Sequence, residues 1–237
     1  MKIDIDDFKN YFKTINQFYG FEIFEYFKKK EPDILKTTVN WRIHHLIKKG
    51  VLNRVSRGLY SLGNEKIFIP KLTPESKIIG IQMTSNFRYT KFCIWELETV
   101  NNLNQNLINY NVIFLDVEKA SMEAVYHFFK ESRSNVILVS DIYDDISEFR
   151  NYLVIRPLIT DSPLKNIDNI PVPSLEKILV DLYLDKEFFP FQGSEIYYIY
   201  QNAFDYYTLK RDTMCRYSRR KGKEMKIVDI METIIRQ

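Results

Sequence analysis

Asp116 and Glu118 alternate along NVIFLDVEK, a stretch that reads as a strand over 111–117, so both carboxylates project to one face with Lys119 adjacent. Two carboxylates and a lysine at a strand end are the groups of a metal-dependent nuclease. The upstream acid and the acid-x-Lys spacing that would complete such a site are missing. Gly193-Ser194 matches the Gly-Ser turn of a nucleotidyltransferase, whose metal ions need two carboxylates on a following strand, but Asp205 is followed here by Tyr206 and Tyr207. His127 falls in a helix candidate with nothing to identify a partner for nucleophilic catalysis. Cys93 and Cys215 are far apart and belong to no CxxC or Cys/His cluster, which argues against a zinc site or disulfide framework. The seven glycines form neither GxGxxG nor GxxxxGK[ST], so a phosphate-cradling loop of those kinds is not expected. The residues read as those of a binding protein, with no catalytic residue, metal or cofactor expected.

A second group has the chemistry of polyanion binding. KTTVNWRIHHLIKKGVLNRVSRGLYSLG, residues 36–63, carries six basic residues, two histidines and a tryptophan on a regular apolar rhythm. Wound at about 100° per residue, Val39, Ile43, Leu46 and Ile47 form one stripe, and Trp41, His44, His45 and Lys48 lie opposite, with Thr38 and Lys49 nearby. Thr37 or Thr38 suits the N-cap and Gly50 the C-terminal stop. VLNRV and GLYSL then read as two strands joined through Ser56-Arg57-Gly58. Upstream, Ile5, Phe8, Phe12 and Ile15 predict a helix over 5–17, and Phe21, Phe24 and Phe27 a second after Gly20, closed by Pro32.

Helix, helix, helix and hairpin make a winged helix-turn-helix over residues 1–63. In that fold the third helix enters the major groove, which assigns DNA contacts to Lys36, Thr37, Thr38, Asn40, Trp41, His44, His45 and Lys48. Arg54, Ser56 and Arg57 of the wing would meet phosphates or the minor groove. The two histidines lack a third ligand and read as surface residues. Trp41 has two readings, contact with thymine methyls or sugar, or burial against a second domain. Lys48 and Lys49 on their own would be a solvated helix end.

Charge is divided unevenly: residues 1–63 hold 12 Lys/Arg against 7 Asp/Glu, 64–204 hold 13 against 19, and 205–237 hold 9 against 5. From about Leu72 helix candidates alternate with strands. A helix capped by Thr73 precedes a strand at 90–94 and a short helix in WELETVNNL; strands at 111–117, 135–140 and 151–159 are separated by helices at 119–131 and 144–150; helices run from Ser174 and from Ser194 onward. The Tyr-rich stretch after Ser194 reads as core packing. The fold class is α+β, with the winged helix-turn-helix at 1–63 followed by a mixed α/β domain with a helical C-terminus at 64–237. No run approaches the roughly 20 apolar residues of a membrane span, and a cytoplasmic protein is expected.

LIKKGVLNRVSRGLYSLG resembles the winged-helix end of the AbiEi antitoxin family. IPVPSLEKILVDLY (170–183), KFCIWELETVNNL (91–103) and the C-terminal DTMCRYSRRKGKEMKIVDIMETI are similar to further stretches of it. The resemblance implies a type IV antitoxin that represses its own operon at its promoter and counteracts a nucleotidyltransferase-like toxin without a stable complex. In residues 210–226 eight Lys/Arg face two acids, and Arg216, Arg219, Arg220 and Lys223, three or four apart on one helix, are the expected surface for an anionic partner or the antitoxin function. Two other readings stay open: a winged-helix regulator whose second domain senses a ligand or mediates assembly, and a DNA-targeted nuclease.

Overall fold

The computed structural model describes residues 3–15, 17–63, 66–142 and 146–236. The chain is α+β and divides into two compact units, one of Met1–Ile67 with Asp205–Asp212, the other of Phe68–Phe204 with Thr213–Gln237.

In the first unit α1 (Ile5–Phe12) starts at Asp4, whose carboxylate accepts the Asp7 amide at 3.1 Å. It stops short of the expected residue 17: the Ile15 amide turns back to the Phe12 carbonyl, and Phe18–Tyr19 form a strand, β1, that the sequence pattern did not reveal. Helix α2 (Gly20–Lys30) buries Ile23, Tyr26 and Phe27 and leaves Phe21 67% exposed. The expected Phe21/Phe24/Phe27 stripe cannot form, because steps of three residues fall about 60° short of a turn each and leave Phe21 and Phe27 about 120° apart.

Helix α3 (Lys36–Lys48) buries Val39, Arg42, Ile43 and Leu46. Its N-cap is Leu35, so Thr37 and Thr38 lie inside the first turn and the expected threonine cap is not formed. Gly50 ends the helix at φ 67°, where its amide donates to Ile47 and that of Val51 to Leu46, both at 2.9 Å, satisfying the last carbonyls as a Schellman motif does. Strands β2 (Leu52–Ser56) and β3 (Leu59–Leu62) follow, turning through Arg57-Gly58, and β1 joins the far edge of β3 to give the order β1-β3-β2. Phe8, Phe12, Phe18, Ile23, Ile43, Leu46 and Leu52 form the core of this unit. Residues 205–212 return to it: Lys66 and Thr208 exchange hydrogen bonds at 3.0 and 3.1 Å, and Asp212 accepts the Arg57 amide at 3.3 Å.

The second unit opens with α4 (Pro74–Asn86), capped as expected by Thr73, whose hydroxyl accepts the Ser76 amide. The strand expected at 90–94 lies at β4 (Phe92–Glu96), which takes Trp95 and Glu96 from the expected short helix; only Leu97–Val100 turn helically. Then come β5 (Ile113–Val117), α5 (Met122–Ser132), β6 (Val136–Leu138) and β7 (Leu153–Pro157), in the spatial order β4-β5-β7-β6 with β4 antiparallel and the others parallel. Of the helix expected at 144–150, Ile146–Glu148 make a short 3-10 turn, and residues 143–145 lie outside the described residues.

A hairpin of β8 (Leu164–Ile167) and β9 (Ile170–Pro173) was not expected; its turn residues Asp168 and Asn169 have φ of 50° and 65°, the left-handed pair of a type I′ turn. Helices α6 (Leu175–Leu184), α7 (Glu195–Tyr206), α8 (Arg211–Arg220) and α9 (Glu224–Arg236) complete the chain. Helix α7 buries Tyr200, which donates to the Leu179 carbonyl at 3.0 Å, but leaves Tyr197, Tyr198 and Tyr206 exposed, so its tyrosines are only in part core.

One face of the four-stranded sheet packs Ile94, Leu115 and Ile155 on Ile79, Met83, Val125 and Phe129 of α4 and α5. The strand residues of opposite parity, Phe114, Asp116, Val154 and Arg156, are buried on the other face; Asp116 and Arg156 there meet α6, every residue of which is buried except Tyr183. Among the described residues no helix is long and apolar enough to cross a membrane.

Candidate nucleic-acid interface

Helix α3 contains no Asp or Glu in its 13 residues. With Val39, Ile43 and Leu46 held in the core, Lys36, Thr37, Thr38, Asn40, Trp41, His44 and Lys48 are exposed and His45 is half-buried. Trp41 is 65% exposed and lies flat on His45, ring centroids 5.4 Å apart at 8°. The N-cap Leu35 offers no side-chain acceptor to the first-turn amides, and Lys36 adds positive charge to the end where the helix dipole is already positive. An anion is the complement of such an end.

The orientation of α3 is fixed by a residue the sequence reading did not single out. Arg42 is 7% exposed, and its Nη2 donates to both carboxylate oxygens of Glu31 at 2.9 and 3.0 Å, with the guanidinium 4.9 Å from the centre of the Phe27 ring. It ties the C-terminal end of α2 to the inner face of α3. The signal was present, since 39, 42, 43 and 46 follow the i, i+3, i+4, i+7 rule.

Arg54 on β2 and Arg57 in the turn are exposed. Ser56 pairs with Leu59 through its backbone, and its side chain lies outside the described residues. The turn is held from behind, the Gly58 carbonyl accepting the Gly20 amide at 2.8 Å.

The C-terminal group predicted at Arg216, Arg219, Arg220 and Lys223 does not form one basic helical face. Helix α8 stops at Arg220, Gly222 breaks the chain at φ 69°, and Lys223 sits in the turn with its Nζ donating to the Leu184 carbonyl at 3.0 Å. Arg219 makes a two-pronged pair with Glu224 at 2.6 and 2.7 Å, and Arg220 pairs with Asp161. Arg216 is exposed and reaches Thr213 at 3.4 Å. Local acids neutralise two of the four predicted cations.

Asp116 and Glu118, expected on one open face, are separated by the end of β5. Asp116 is fully buried, meeting Arg156 at 2.8 Å and Lys177 through the same carboxylate; Glu118 lies beyond the strand and accepts the Lys91 amide at 3.3 Å. Lys177 and Asp181 pair one turn apart on α6 at 2.6 Å, Arg156 also reaches Asp181 at 2.9 Å and Glu187 at 2.7 Å, and Lys221 bridges Asp181 and Asp185 at 2.6 and 2.7 Å. Tyr217 donates to Asp181 at 2.9 Å.

Burial alone would raise the Asp116 and Asp181 carboxyls, but the surrounding cations overcome it and hold both below the ordinary range. Asp185 goes the other way, raised to about 6 by burial and by the Asp181 charge. This is a closed ion-pair network that locks α6 and the end of α8 to the sheet.

Residues 38–237 match DUF6577, a family of unknown function. The chain belongs to that family. No curated protein matches it. The DUF6577 match opens at Thr38, inside α3, and so takes in most of the acid-free helix, the hairpin and the whole buried network.

Proposed function

We propose that the first unit is a winged helix-turn-helix that binds duplex DNA with sequence preference, α3 in the major groove and the Arg54–Arg57 turn on the adjoining backbone. The observation that carries this reading is the acid-free α3, whose exposed face offers Thr37, Thr38, Asn40, Trp41, His44 and Lys48 on a helix fixed by the Arg42–Glu31 pair. Thr and Asn are short and hydrogen-bond base edges, Trp41 presents a flat apolar surface to thymine methyls, and the lysines neutralise phosphate.

The AbiEi resemblance supports a narrower role, an antitoxin that represses its own promoter and counteracts a nucleotidyltransferase-like toxin, with neutralisation in the second unit. The engagement of Asp116 by Arg156 and Lys177 favours binding over metal-dependent catalysis.

The test uses the full chain and DNA from upstream of its own gene. Anisotropy titrations should show log K falling linearly with log salt, with a slope of about −0.9 per phosphate neutralised. Affinity that does not respond to salt, or does not distinguish upstream from scrambled DNA, overturns the DNA reading. Growth rescue on co-expression with the nucleotidyltransferase-like toxin that this reading expects beside the gene, retained in a variant that no longer binds DNA, is the expected result for the antitoxin role.

A further inference from the structure

We infer that the second unit carries a binding site for a small phosphate monoester, in a groove of about 650 Å³ at one end of its sheet. The volume lies within the range of small-molecule pockets, roughly 300–1,000 Å³. The groove opens outside the carboxyl ends of the parallel strands β5 and β7, bounded by Glu118 after β5 and Leu158–Ser162 after β7, with Arg88–Lys91 leading into β4. Crevices at the carboxyl ends of parallel strands are where open α/β sheets take ligands, because the chain leaves each strand there and loops can diverge around an opening.

The lining sorts by chemistry. Leu158, Ile159, Leu164 and Pro171 supply an apolar wall. Arg88 and Lys91 stand exposed on the rim, and neither side chain makes an ion pair or hydrogen bond among the described residues. Two cations on one rim with no side-chain partner among the described residues suit the charge of a phosphate monoester, about −1.5 to −2 at neutral pH, better than a single carboxylate. Glu118 is the acceptor on the opposite side of the balance and calls for a hydroxyl or amino donor on the same ligand. The loop turns at Asp161, whose φ is 59° and whose carboxylate makes an exposed ion pair with Arg220. The ligand chemistry is a phosphate monoester bearing hydrogen-bond donors, a requirement that a nucleotide and a sugar phosphate share.

Calorimetric titration of the full chain at low salt with AMP, glucose 6-phosphate and inorganic phosphate tests this. Saturable binding of at least one ester is expected, at least tenfold tighter than inorganic phosphate. Arg88→Glu with Lys91→Glu should weaken it at least tenfold, and Ile159→Trp, which fills the groove and keeps the charges, should weaken it too. Circular dichroism establishes that each variant is folded; should Ile159→Trp fail to fold, Asn166→Trp at the exposed edge replaces it. No saturable binding of either ester, binding indifferent to charge reversal and groove filling, or equal affinity for inorganic phosphate overturns the proposal. Which ester binds separates the nucleotide from the sugar phosphate.

Discussion

Replacing Asp185 with Asn should stabilise the protein at neutral pH, although Asp185 sits in an ion pair with Lys221 at 2.7 Å. The buried network sets the carboxylates of Asp116, Asp181, Asp185 and Glu187 against three cations, Arg156, Lys177 and Lys221. The surplus negative charge falls on Asp185, raised to about 6 from 3.8 by burial and Asp181. An acid raised on folding binds its proton more tightly in the folded chain, so its contribution to stability is full at low pH and is lost as pH rises from about 4 through about 6. A shift of about 2 units at 1.36 kcal/mol each sets the scale at about 2–3 kcal/mol. The Asn variant keeps the volume and removes the charge, and Lys221 keeps Asp181 at 2.6 Å. Urea unfolding of both proteins, followed by the fluorescence of the buried Trp95, should show the variant more stable by about 2 kcal/mol at pH 7.5, with the gap closing toward pH 4.5. The window stays above 4 because Asp116 and Asp181, both lowered, contribute the opposite slope in acid. A variant less stable at pH 7.5, or a gap that does not change with pH, would refute the reasoning.

Lys177→Met should cost about 3–5 kcal/mol of unfolding free energy by leaving Asp116 and Asp181 under-compensated in the interior, read as a shifted urea midpoint. Asp116→Ala should be lost to instability for the same reason, whereas Glu118→Ala, beyond the strand, should leave the melting temperature within about a degree or two. Arg54→Ala with Arg57→Ala should weaken binding to all DNA sequences alike and lower the salt slope by about 2, while Asn40→Ala should cost about 1–3 kcal/mol on the preferred site only; anisotropy against specific and scrambled duplexes separates them. Gly80→Ala places a Cβ 2.7 Å from Ile170 Cγ2, so despite its better helix propensity it should destabilise by about 1–3 kcal/mol in a thermal melt.

Local pattern carried the first unit well and the second less so. The order helix, helix, helix, hairpin followed from periodicity and from Gly50, whose positive φ the helix stop requires. Strand β1 was illegible because two residues have no period of their own; it exists only because β3 offers an edge. The β8–β9 hairpin escaped because its signal, Asp168-Asn169, lacks the glycine that usually marks a type I′ turn. Asp116 was visible as a carboxylate on a strand, but its partners lie 40 and 61 residues onward, at Arg156 and Lys177, and no local spacing predicts such a meeting. The C-terminal cations misled for the converse reason. A run of like charge reads as a binding face until distant acids such as Asp161 are brought beside it.

The return of residues 205–212 to the first unit bears on how the chain emerges during synthesis. Helices α1 to α3 and the hairpin leave the ribosome early, but Asp212, which accepts the Arg57 amide at the hairpin turn, follows about 145 residues after Ile67. At a translation rate of about 5–20 residues per second that is a wait of about 7–30 seconds. Through that interval the nascent amino-terminal unit lacks the residues 205–212 that return to it. Excision of residues 1–67 by genetic truncation makes the same interval permanent, and a chimera that borrows this unit must carry residues 205–212 with it.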